Sequence, residues 1–238
     1  VPISKRLMIR LALIAVVAFA GFTSVPAGAQ PECEPVAPAA GPSASPASGS
    51  ATDDAPFPDD EGTLTVFAAA SLTDAFDTFA ASLEDAHPGL DIVVETAGSQ
   101  TLVTQLQEGA EADVLATANA STMQTAVDSG LVVGEPVPFT GNRLVIVTPQ
   151  DDPAGIGALD DLAADDVRLV IANESVPAGN YARAALCAYE ASGKDGFSET
   201  VLGNVVSEEE DVRSVLTKVL LGEADAGIVY ASDAVASE

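Results

Sequence analysis

The chain has 238 residues, enough for one large domain or two small ones, and 47% of them are apolar, ample for a buried core. Nine Lys and Arg stand against 36 Asp and Glu, a net charge of −27. That balance excludes nucleic acid, which is held by neutralising phosphates with Lys and Arg, and anionic membrane surfaces; it reads as solubility or adaptation to salt rather than as metal binding.

The N-terminus has the three parts of a secretory signal. Lys5, Arg6 and Arg10 form a basic region, Leu11 to Phe22 an apolar run too short for a comfortable transmembrane helix, and Ala27-Gly28-Ala29 a small-x-small cleavage site before Gln30. Residues 1–29 thus read as a signal peptide and the protein as exported, to the periplasm or the outer face of the cytoplasmic membrane; an uncleaved signal would tether it. Cys33 follows Glu32, where a lipoprotein signal wants a small residue, which argues against a lipid anchor. Residues 30–62 are rich in Pro, Ala, Ser and Gly and read as a disordered or semi-extended spacer. Export permits a disulfide between Cys33 and Cys187, the two cysteines, while the floppy position of Cys33 leaves free thiols or a weak clip equally open. With a single histidine, His87, they do not make a metal site.

Beyond the spacer the pattern alternates strand and helix. The predicted elements are a strand over Leu64 to Ala69, a helix over Ser71 to Leu83, a strand over Leu90 to Glu95, a helix over Ser99 to Gln107 stopped by Gly109, and a strand over Asp113 to Thr117. Asn119 then caps a helix that runs through Val127 and ends at Gly130. After a PFTGNR turn come strands over Arg143 to Thr148 and Arg168 to Ala172, a helix over Ala178 to Glu190 after Pro177, a helix over Val212 to Leu221, and a strand over Ala226 to Ala231. The expectation is an α/β chain in two lobes, each a mainly parallel sheet flanked by helices: residues 63–140 form lobe 1 and residues 141–238 lobe 2.

Several helix starts in this pattern place a small polar group or a free backbone amide just after a strand. Such starts leave unpaired N–H groups with a fractional positive charge, so several aimed at one point can hold a dianion without Lys or Arg. Each also has a purely local reading. Ser71 and Asp74 fit a capping box, and Gly98-Ser99 fits a flexible turn followed by a cap. Val176-Pro177-Ala178 fits a helix start with proline in its first turn, which leaves the Ala178 amide free. Glu208 to Asp211 are acids favoured by a helix dipole, awkward beside an anion unless they point to solvent, and Tyr230 fits a core residue at a strand end.

Taken together, the segments VFAAASLTDAF, AGSQTLVTQLQEGAEADVLATA, NRLVIV, VPAGNYA and EEDVRSVLTKVLLGEADAGIVYASDAVAS resemble, in order and spacing, the molybdate-binding proteins of bacterial ABC importers. The resemblance runs from Leu64 to Ser237. It implies a two-lobed clamshell of the type II periplasmic-binding-protein kind, a monomer that takes molybdate or tungstate, needs no other cofactor, and delivers its ligand to a membrane permease. It also implies a ligand shell of the hydroxyls and amides of Ser71 and Ser99, the backbone amides of Ala178 and Val212, and the hydroxyl of Tyr230. The chain departs from the family pattern in two places. Ala97-Gly98-Ser99-Gln100 stands where a run of serines is frequent, and the sequence stops at Glu238 where the family returns to complete the first lobe, so lobe 1 is expected to be incomplete. A binding protein for sulfate or another tetrahedral oxyanion is the main alternative. An enzyme on the same fold is disfavoured, since His87 is the one histidine available to activate a serine and neither a G-x-S-x-G elbow nor a phosphate loop occurs.

Overall fold

The computed structural model describes residues 62–236; the expected signal peptide, Cys33 and the spacer up to residue 61 lie outside them. No helix among the described residues is long and apolar enough to cross a membrane. Strands β1 (Gly62–Ala69), β2 (Leu90–Ala97) and β3 (Val114–Ala116) alternate with helices α1 (Thr73–Ala86), α2 (Ser99–Gln107) and α3 (Ala120–Asp128). They form a parallel sheet in the order β2-β1-β3, with Val66 opposite Val94 on one side and Val114 on the other. An irregular stretch then leads to β4 (Leu144–Val147), β5 (Leu169–Ala172), α4 (Pro177–Glu190), α5 (Phe197–Gly203), β6 (Val205–Glu209), α6 (Val212–Leu220), β7 (Ala226–Tyr230) and α7 (Ala231–Ala236). The second sheet has the order β4-β7-β5-β6, parallel except for β4, which runs antiparallel to β7 with Leu144 opposite Tyr230.

Side chains alternate across a strand, and a sheet covered on both faces must be apolar at every position. Central strand β5 meets that demand: Leu169 and Ile171 pack with Leu186, Phe197 and Val201, while Val170 and Ala172 pack on the other face with Val215, Val219 and Val229. All four β5 residues are buried. The buried cluster of lobe 1 is smaller, with Val66, Ala68 and Ala116 at its centre and Leu64, Leu72, Phe76, Ile92 and Val94 around them. Phe79, Val93, Val114, Val133, Val137 and Phe139 remain exposed in this half.

Four departures from the sequence pattern have local causes. Residues 70–72 wind as a 3-10 turn, so α1 starts at Thr73 and no side chain caps it; Ser71 and Asp74 do not make a capping box. Gly98, not Ser99, takes the cap position of α2. Strand β6 was hidden by its acids, which disfavour strands. In the fold they find partners: Glu208 pairs with Arg183, and Glu209 with Lys218 at 2.7 Å. The carboxyl of Glu209 is held below its usual range by Lys218 and Ser207, which outweigh the opposing effect of burial. A register shift against β5 leaves Val206 as an unpaired, exposed bulge residue, breaking the alternation that marks a strand. Helices α5 and α7 are seven and six residues long, too short to carry a clear period.

Helix α4 docks so closely on the end of β5 that only glycine fits at its third position. A Cβ on Gly179 would lie 2.1 Å from the Asn173 carbonyl oxygen and 2.2 Å from that of Ala172. Gly179→Ala should therefore destabilise the protein by about 1–3 kcal/mol, the usual cost of overpacking, as measured by urea denaturation. An unchanged midpoint would contradict this packing.

Candidate functional site

Parallel strands feed helices from their carboxyl ends, so the N-termini of those helices gather at one edge of each sheet. Here β1 leads to Ser71, β2 to Ser99, β5 to Ala178, β6 to Val212, and β7 ends on Tyr230. All five line one pocket, together with Ala69, Ala70, Gly98, Ala118, Val176, Pro177 and Asp211. Lobe 1 supplies the first two of the five and lobe 2 the other three. Neither Lys nor Arg contributes to its lining.

Each position presents a donor whose hydrogen is uncommitted. The Ser99 hydroxyl accepts from the Ala118 amide at 2.9 Å, so its own proton is left to point elsewhere; the side chain is 1% exposed. No hydrogen bond within the described residues engages the Ser71 hydroxyl, because Thr73 Oγ1 bonds the Ala70 carbonyl in its place at 2.8 Å. Pro177 opens α4 without an N–H, which makes Ala178 the first donor of that helix. At α6, Asp211 is the cap and takes the Ser214 amide at 2.9 Å, two residues beyond Val212. The Ala178 and Val212 amides have no backbone acceptor among the described residues. The Tyr230 hydroxyl is buried and also lacks a partner. Burial, then the nearby Tyr181 and Asp233, push its pKa far up, so it stays a protonated donor at neutral pH.

Two acids, Asp211 and Asp233, sit at or next to this pocket. Asp211 is the one charged residue in the lining, and its second oxygen accepts from Ser214 Oγ at 2.8 Å. Asp233 is fully buried next to Tyr230, where one oxygen accepts from the Tyr230 amide at 3.2 Å and the other lies 2.9 Å from Arg213 Nε, outside hydrogen-bond alignment. Burial raises the Asp233 pKa, against the pull of Arg213. Sequence reasoning missed Ala118, which orients Ser99, and Asp233. The signal for Asp233 was its spacing, three residues beyond Tyr230 at the start of a short helix. His87 ends α1, a helix length of about 20 Å from the pocket at 1.5 Å per residue. Cys187 lies on α4, its sulfur 3.8 Å from the Ser198 hydroxyl.

The comparisons with known proteins bear on this arrangement. The model of the family described as bacterial extracellular solute-binding proteins matches residues 64–238. The chain belongs to that family. Among curated relatives, a molybdate-binding protein ModA of Mycobacterium tuberculosis is 39% identical over 171 residues, which cover 72% of this chain and 62% of the relative. The ModA of Escherichia coli is 38% identical over 186 residues, covering 75% of this chain and 69% of the relative. This family member therefore spans less than two thirds of the mycobacterial relative it matches. A solved structure, the sulfate-binding protein SubI from Mycobacterium tuberculosis, superposes with a TM-score of 0.63 at 16% identity over 74% of this chain and 67% of the other. That likeness establishes the periplasmic-binding-protein-like fold of the solute-binding family member.

An unpartnered buried hydroxyl costs stability in the absence of a ligand. Tyr230→Phe should accordingly leave the ligand-free protein as stable as the parent or more stable by about 1–3 kcal/mol, as read from denaturation curves. A loss of more than that amount would mean that the hydroxyl has a partner within the fold.

Proposed function

We propose that this chain binds molybdate, and tungstate with it, outside the cytoplasm and passes it to the permease of an ABC transporter. The observation that carries the reading is the convergence of five uncommitted neutral donors, from Ser71, Ser99, Ala178, Val212 and Tyr230, on one pocket. The kinship with molybdate-binding proteins supports it. Four oxygens of a tetrahedral dianion offer acceptors on all sides, and buried donors around them replace the water they lose. Hydrogen bonds to a charged group are roughly twice as strong as neutral ones, and helix starts add favourable dipoles. Without cations in the lining, selectivity rests on the size of the cage and on how weakly its acceptors are offered to a ligand.

The state of Asp211 matters for phosphate. A monoprotonated phosphate brings a hydroxyl that needs an acceptor, and the carboxylate in the lining, Asp211, already takes both the amide and the hydroxyl of Ser214. The donors themselves would accept sulfate as readily as molybdate, so cage size has to separate the two. His87 lies at the far end of α1 from the pocket.

Calorimetric titration with molybdate, tungstate, sulfate and phosphate tests this function. Molybdate and tungstate should bind tightly, sulfate more weakly and phosphate least. Tight sulfate binding with no response to molybdate would replace the proposal by a sulfate receptor. Ser71→Ala and Ser99→Ala should each weaken molybdate binding by about 1.5–3 kcal/mol, roughly ten- to over a hundredfold. Unchanged affinity in both folded variants would remove these serines from the shell.

A further inference from the structure

Four of the five donor residues are almost wholly covered by the rest of the fold. Ser99 is 1% exposed, Ala178 1%, Val212 4% and Tyr230 5%, and they belong to different lobes. Any ligand must therefore enter while the lobes stand apart, and contacts that cross between them must break and re-form. Among the described residues, the chain crosses between the lobes in the irregular stretch 129–143, which can serve as the hinge.

Among the described residues, two hydrogen-bonded or ionic contacts join the two sheets' halves beside the pocket. One is a hydrogen bond of 2.9 Å from Gln100 Nε2, in the first turn of α2, to the carbonyl of Glu210. Gly98 makes this approach possible, since a Cβ there would lie 2.4 Å from the same carbonyl oxygen. The other is the ion pair between Arg213, in the first turn of α6, and Asp74, in the first turn of α1. Arg213 directly follows Val212, and Asp74 lies three residues beyond Ser71. This pair therefore fixes how far a lobe 1 donor stands from a lobe 2 donor.

Arg213 is held in position by a second carboxylate. Its Nε lies 2.9 Å from the buried Asp233, whose other oxygen accepts from the Tyr230 amide. The guanidinium is thus anchored in lobe 2 on Val212 and on the end of β7, with one edge free to reach across. A cation placed here and ion-paired with two acids does not itself enter the anion shell, consistent with its absence from the pocket lining.

We propose that Arg213 and Asp74 form a clasp that favours the closed arrangement of the lobes and so slows release of the bound oxyanion. Arg213 and Asp74 are positioning residues, and the proposal rests on the reading of the pocket as an oxyanion site. The clasp makes a prediction opposite to simple electrostatics. Removing an acid near a dianion should ordinarily ease repulsion and tighten binding, whereas removing Asp74 should loosen it.

The test is stopped-flow release of molybdate from the full chain, comparing the parent with Asp74→Ala, Asp74→Glu and Asp77→Ala. Both aspartates lie on exposed positions of α1, so folding is expected to survive. Asp74→Ala should release molybdate about two- to fivefold faster, the range expected for a partly exposed ion pair. Asp74→Glu should restore the parent rate, and Asp77→Ala should match or undercut it. Release at the parent rate or slower in Asp74→Ala, or equal acceleration in Asp77→Ala, would overturn the clasp. Small-angle scattering of the ligand-free protein separates this failure from failure of the binding reading. If the parent takes no molybdate, a larger radius of gyration for Asp74→Ala at low salt still supports the clasp, and identical curves refute it.

Discussion

A pocket lined by uncommitted donors and by no cation is the constraint on which the rest of this structure depends. Backbone amides can serve as donors only where the helical hydrogen-bond ladder leaves them unpaired, which is at helix starts. Bringing several starts to one point requires parallel strands whose carboxyl ends share an edge. The order β2-β1-β3 in one lobe and β5-β6 with β7 in the other supplies that edge on both sides of a cleft. Close packing then becomes a condition of the chemistry. Gly179 lets α4 sit against the end of β5, and Gly98 lets α2 approach the loop before α6.

Pairing of nearby acids makes the proposed anion site compatible with the acidity of the chain. The carboxylates nearest the pocket are engaged by amides, hydroxyls or cations: Asp211 by Ser214, Glu209 by Lys218, Asp233 by Arg213 and the Tyr230 amide. Among the described residues, Lys218 and Arg213 pair with these acids, Arg168, Arg183 and Lys194 pair with others, and no cation lines the pocket. Charges farther away act through water and salt, which screen them beyond about 8 Å at physiological ionic strength. Local dipoles can then outweigh a strongly negative surface.

Much of this was legible in the sequence because helix starts and strand ends are local features. The alternation from Leu64 to Gln107 and the Ser99–Gln107 helix followed from apolar spacing and turn residues, and the five candidate positions all lie at the ends of such elements. The misreadings have physical causes. Ser71 looked like a cap, but a 3-10 turn shifts the start of α1 past it. The acids of β6 looked like helix-start residues because their partners, Arg183 and Lys218, come from elsewhere in the fold. The bridge from Asp74 through Arg213 to Asp233 joins residues too distant in sequence for any local pattern to reveal. Ala118 offered no side-chain signal, since it acts through its amide on Ser99.

The central claim is that neutral donors, not cations, hold the anion. The rate of molybdate association at low and at physiological ionic strength tests it most directly, by stopped flow on the full chain. A strongly acidic surface repels the approaching dianion, and a pocket without exposed Lys or Arg offers no compensating attraction, so added salt should accelerate association by screening the repulsion. A clear slowing with salt would mean that a cation steers the ligand in, and would contradict the account.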